Sequence, residues 1–157
     1  MHILSEEAVA KLPSPEVVKA FGGAVNLNDV ALWKRSILEF GGLLFYDPPS
    51  VPFDTRMAWA GAAICQPPVV SSLVMFREQS PEKLFEAGKK GLRVLCIHGK
   101  YDGHRTSGMA VVELLKPHFG DSLEVVELDN AGHAFFFENP EETNRALVAF
   151  EIGRAHV

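Results

Sequence analysis

The stretch 92-LRVLCIHGKYD-102 runs from an almost unbroken apolar segment, through a glycine, into an aspartate. Gly91 precedes it and Gly99 closes residues 92–99, which predicts a strand buried on both faces. The stretch 123-LEVVELD-129 reads as a second strand. Between them, residues 106–118 carry Met109, Val112 and Leu115 at helical spacing. After the second strand, 139-NPEE-142 offers an N-cap asparagine, a proline at the first helical position and acids for the positive helix end. That helix is expected to continue through Leu147 and Phe150. The order β-α-β-α predicts an α/β fold with parallel strands joined by a right-handed crossover.

Before Gly91 the pattern is helical and rich in loops. Ser14 is expected to cap a helix with Pro15 in its first turn, and Asn28 or Asp29 to cap 30-VALWKRSILEF-40. In that helix Val30, Trp33, Ile37 and Phe40 form the expected apolar face until Gly41-Gly42 stops it. Asp54 is expected to cap 55-TRMAWAGAAICQ-66, with Pro67-Pro68 breaking it. A short apolar helix over residues 69–76 follows. Ser80-Pro81-Glu82-Lys83 then caps one that ends at Gly88.

Composition limits the function classes. The 157 residues suit one domain, and 47% hydrophobic with 22% charged residues is ordinary for a globular chain. A net charge of -5, with acids and bases interspersed, gives no footprint for nucleic acid. No apolar run approaches the ~18 residues of a membrane span. The opening 1-MHILSEEAVAKLPSPEVV-18 lacks the basic start and apolar core of a signal peptide. Cys65 and Cys96 are too few and too far apart for a disulfide framework or a zinc knuckle. A reduced, cytoplasmic protein is the default expectation.

In an open parallel sheet the ligand crevice lies beyond the carboxyl ends of the strands. Asp102 leaves the first strand at that edge and His133 leaves the second. An aspartate accepting from Nδ1–H of a histidine fixes its tautomer and leaves Nε2 free as a base. Gly132 is expected to permit a tight turn, and Phe135, Phe136 and Phe137 to wall off water. Taken singly, each residue has a plainer reading: an aspartate after a strand is usually a turn or cap residue, and a loop histidine is usually structural. Their joint placement at one sheet edge favours catalysis.

The segments 98-HGKYD-102 and 130-NAGHAFFFENPEE-142 together resemble the C-terminal end of an α/β-hydrolase-fold protein. The resemblance implies that Asp102 is the acid and His133 the base of a catalytic triad. It divides the chain into a helical lid-like region over 1–90 and the C-terminal β/α portion of the hydrolase core over 91–150, a partial α/β-hydrolase fold. The implied activity is carboxylic ester hydrolysis by Ser-His-Asp acyl transfer, on a small ester-like or apolar substrate and without a cofactor. The family's G-x-S-x-G elbow surrounds none of the serines, and Ser107 follows the acid rather than preceding it. The oxyanion-hole motif is missing too, since His98-Gly99 immediately precedes the acid. The chain therefore resembles the lid plus the last two β/α units of a larger enzyme, and is expected to be inactive as written. Two alternatives stay open: a relative with an aspartate nucleophile, such as an epoxide hydrolase or haloalkane dehalogenase, and a non-catalytic module.

Other residues carry less. His98, Asp102, His104 and His133 lack the spacing of a metal set, so no metal is expected. Cys96, inside the apolar strand, reads as an inert small hydrophobe, and Cys65 likewise. Trp59, Phe45, Phe53 and Met57 are candidates to line an apolar substrate pocket. Finally, 151-EIGRAHV-157 interrupts a good helix with Gly153, and its codons can spell a string that resembles a common sequencing adapter read in frame. Residues 151–157 are accordingly expected to be a non-native tail, His156 included.

Overall fold

A computed structural model describes residues 14–26, 28–65, 67–70 and 80–153. Ser14 accepts from the Val17 N–H (3.3 Å) and starts helix α1, Pro15–Ala24, with Pro15 in its first turn. Asp29, not Asn28, caps α2, Val30–Gly42, accepting from the Leu32 N–H at 2.9 Å. Trp33, Ile37 and Phe40 of the expected apolar face of α2 are half-buried. Val30 is exposed, and Ser36 is the buried residue, seated against Gly23 of α1. A hairpin partner that presents glycine draws the small side chain inward, a choice that apolar periodicity does not register.

A 3-10 turn, Pro48–Ser50, leads to α3, Phe53–Ile64. Pro52 occupies the N-cap position of α3, so Asp54 lies inside the first turn. There its charge suits the positive helix end without capping an N–H. The helix expected over 69–76 is described only as residues 68–70, and 71–76 lie outside the described residues. Helix α4, Glu82–Lys89, begins just after Pro81, and the Ser80 hydroxyl bonds the Glu82 carboxylate instead of a backbone N–H. Phe85 of α4 stacks on His118, with ring centroids 3.8 Å apart.

Strand β1, Val94–Gly99, helix α5, Arg105–Phe119, and strand β2, Leu123–Leu128, form the expected β-α-β unit. The strands pair in parallel, from Val94 opposite Leu123 to Gly99 opposite Leu128. Arg93 pairs with Glu124 (2.5 Å) at one end and Lys100 with Asp129 (2.7 Å) at the other. These pairs are solvated and contribute little stability. A short helix α6, Phe135–Glu138, precedes α7, Pro140–Ile152. Asn139 caps α7 by accepting from the Glu142 N–H (3.4 Å), and its amide donates to the Asp129 carbonyl (3.2 Å). One side chain thus ties the exit of β2 to the start of the last helix.

The strands are less buried than their sequences predict. Val94–His98 are half-buried, and Val125 of β2 is exposed. Among the described residues the sheet has two strands, so each keeps an open edge. The buried side chains lie in small groups: Val112, Leu115 and Phe119 on α5, and Phe45 with Val51 and Ala134 further on. On α7 Phe150 is buried under the Arg93 guanidinium (4.4 Å to the ring centroid), whereas Leu147 is exposed. The helix continues through Ile152 and ends at Gly153, the glycine expected to interrupt it, and residues 154–157 lie outside the described residues. No helix among the described residues is long and apolar enough to cross a membrane.

Burial sets the expected mutational costs. Leu115→Ala should cost about 2–5 kcal/mol, because it opens a cavity under α5. Leu147→Ala should change stability by no more than about 0.5 kcal/mol. Urea denaturation of both variants checks the contrast.

Candidate active site

The parallel register brings the ends of both strands to one edge of the sheet, and the two loops there are laced together. The Lys100 N–H donates to the Leu128 carbonyl and the Tyr101 N–H to the Ala131 carbonyl, each at 3.0 Å. Gly99 and Gly132 permit this approach. A Cβ on Gly99 would overlap the Ala131 and Gly132 carbonyls, and one on Gly132 would lie 2.7 Å from the Tyr46 nitrogen. The expected role of Gly132 in a tight turn is thus replaced by close packing, and the left-handed residue of the loop is Asn130, with φ 52°.

Asp102 and His133 meet as expected: His133 Nδ1 lies 2.9 Å from Asp102 Oδ2. The other carboxylate oxygen, Oδ1, accepts from the His104 N–H at 2.7 Å. Asp102 is therefore a turn residue through one oxygen and a histidine partner through the other, so the two readings of this aspartate coexist. Its side chain is only 7% exposed, whereas that of His133 is 50% exposed. Among the described residues no protein atom hydrogen-bonds His133 Nε2. That nitrogen is available to a reacting group.

The electrostatics follow from these contacts. Burial works against ionisation of Asp102, but the hydrogen bonds from His133 and from the His104 N–H outweigh it and hold the carboxyl below its ordinary value. The Asp102 hydrogen bond raises the His133 imidazole above its usual range, against the pull of burial. His104 moves the other way, lowered by burial and by the neighbouring His133, whose ring centroid is 5.0 Å distant. Burial also lowers His98, which lies in β1 as expected, with its Nε2 enclosed and unpartnered beside Gly108. Cys96 in the same strand is raised by burial, as befits an unreactive thiol.

The helical region before β1 reaches this edge at several points. The Ser14 N–H donates to the Gly103 carbonyl (3.3 Å), and Phe40 meets the His104 ring edge-on. Tyr46 packs on Tyr101 with centroids 4.4 Å apart and the rings tilted by 35°. The Ala134 N–H donates to the Leu44 carbonyl at 2.8 Å. Sequence reasoning missed Tyr46, Tyr101 and Glu138, whose partners are distant in the chain, and took His104 only as an imagined metal ligand.

The aromatic residues divide between core and surface. Phe45 is buried against Trp59 (5.2 Å), which also stacks on Phe136 (6.0 Å), so Phe45 and Trp59 build a small core. Phe53, Met57, Phe136 and Phe137 are exposed, and His133 with them, so the phenylalanines do not wall water away from the histidine.

The two shifts make the contribution of the pair depend on pH. A raised His133 contributes stability that is full below the ordinary imidazole value and is lost as pH rises through the raised one. A lowered Asp102 contributes stability that is present above the ordinary aspartate value and is lost as pH falls through the lowered one. The stability difference between wild type and Asp102→Asn should therefore peak between the two ordinary values and shrink on either side. Unfolding free energies measured across pH check this, and a flat difference would show that the two groups are not coupled.

No protein-family model matches the chain and no curated protein matches it either, so the chemistry of this edge rests on its own geometry.

Proposed function

We propose that the chain is the C-terminal part of an α/β-hydrolase of the carboxylic ester hydrolase type. In this reading Asp102 is the acid and His133 the base. The observation that carries it is the 2.9 Å contact between His133 Nδ1 and a buried Asp102 oxygen, with Nε2 left uncommitted among the described residues. An aspartate held ionised on Nδ1–H keeps the proton off Nε2 and stabilises the imidazolium that forms when Nε2 takes a proton. The proton would come from a serine hydroxyl attacking an ester carbonyl. The acyl-enzyme would then be hydrolysed by water activated by the same nitrogen.

No serine hydrogen-bonds His133 among the described residues, and none lies on a nucleophile elbow in the sequence. Removing a triad nucleophile typically costs about 10⁶ in turnover. The chain as written is therefore expected to hydrolyse p-nitrophenyl esters no faster than its His133→Ala variant. Turnover that is well above background and lost in that variant would overturn the expectation of inactivity. Coding sequence upstream of Met1 tests the family: G-x-S-x-G supports an ester hydrolase, and G-x-D-x-G turns the reading to an epoxide hydrolase or haloalkane dehalogenase. Absence of any elbow would favour a non-catalytic module.

The substrate class in this reading is a small ester-like or apolar molecule, and the reaction needs no cofactor. A sheet that is part of a larger one leaves unpaired backbone on a flank with Val125 exposed, which favours self-association. Sedimentation velocity should show concentration-dependent association, whereas a monodisperse monomer would count against the partial-fold reading.

A further inference from the structure

The His133 loop is gripped from one side by a single carboxylate. Glu138 Oε2 accepts from the Gly132 N–H at 2.7 Å. Its Oε1 accepts from the Tyr46 N–H at 2.6 Å and the Asp47 N–H at 3.3 Å. Three backbone donors from two segments far apart in sequence thus converge on one charge. Hydrogen bonds to an ionised acceptor are about twice as strong as neutral ones. Both neighbours of His133 are consequently anchored, Gly132 to Glu138 and Ala134 to the Leu44 carbonyl. The same 44–47 segment touches the acid loop through the tilted ring contact of Tyr46 with Tyr101, the residue before Asp102.

We infer that Glu138 is a positioning residue: its carboxylate locks residues 44–47 onto the His133 loop and so sets the imidazole on Asp102. The inference rests on the reading of His133 as the base held by Asp102, and it adds that the helical region controls that base through one side chain. Glu138 itself faces the amides of Gly132, Tyr46 and Asp47, so it acts through the backbone. Glutamine cannot replace it. The amide keeps one carbonyl oxygen, and its NH2 would turn a donor toward either Gly132 or Tyr46.

The test is to follow the His133 ring by NMR titration in wild type, Glu138→Gln and Asp102→Asn, together with amide hydrogen exchange of Gly132 and Tyr46. Asp102→Asn should lower the His133 midpoint by removing its partner. Glu138→Gln, with Asp102 intact, should move the midpoint down toward the Asp102→Asn value and strip protection from Gly132 and Tyr46. A side chain that merely stabilised the fold would leave the midpoint of the folded protein unchanged. If Asp102→Asn lowers the midpoint and Glu138→Gln leaves it at the wild-type value, the positioning role is overturned and the acid–base pair stands. If Asp102→Asn leaves it unmoved, the pair itself is overturned, and the positioning role with it. Should Glu138→Gln fail to fold, wild-type exchange decides. Gly132 and Tyr46 opening with one common free energy supports the lock, and a freely exchanging Tyr46 beside a protected Gly132 overturns it.

Discussion

Parallel pairing of Val94–Gly99 with Leu123–Leu128, in register from end to end, is the constraint on which the rest depends. Because the strands run the same way, their carboxyl ends share an edge, and the residues that leave them are brought together without any search in sequence. Gly99 opposite Leu128 then brings the following loops within hydrogen-bonding distance of each other. The absence of a Cβ at Gly99 and Gly132 lets those loops lie backbone against backbone. A one-residue slip in the pairing would turn side chains to the opposite face and separate Asp102 from His133.

Within that frame the chemistry is a balance of burial against hydrogen bonding. Burying Asp102 alone would push its carboxyl toward the neutral form. Two donors, His133 Nδ1 and the His104 N–H, reverse the outcome and hold the anion. The histidine remains half exposed, so its charged form is tolerated. His104 lies beside it without sharing the carboxylate through its ring, and it is driven toward the neutral form. Two histidines at one edge are thereby given opposite tendencies by their environments.

The helices before β1 serve the edge of the sheet. Leu44–Asp47 contacts the base loop through the Leu44 carbonyl and the Glu138 carboxylate, and the acid loop through the Tyr46 ring. A region that the sequence resemblance labels a lid thus supports the site from its flank. Its aromatic residues divide: Phe45 and Trp59 fill a small core, and Phe53 and Met57 face outward.

Local signals were legible because their causes are local. Ser14, Asp29 and Asn139 each satisfy an N–H three residues ahead, and the apolar runs of the two strands need no distant partner to be recognised. The shared edge of Asp102 and His133 followed from topology, since strand direction and handedness are constrained by chain chirality. Other features rested on contacts between residues far apart in the chain. The burial of Ser36 on α2 depends on Gly23 of α1, Gly132 is excluded from carrying a side chain by Tyr46, and Glu138 meets amides more than ninety positions away. The sequence by itself determined the β-α-β-α order and the placement of Asp102 and His133 at one edge of the sheet. Only the tertiary structure decided how much of each strand is buried and which side chains hold the histidine loop, because burial and carboxylate–amide contacts depend on what the fold brings alongside.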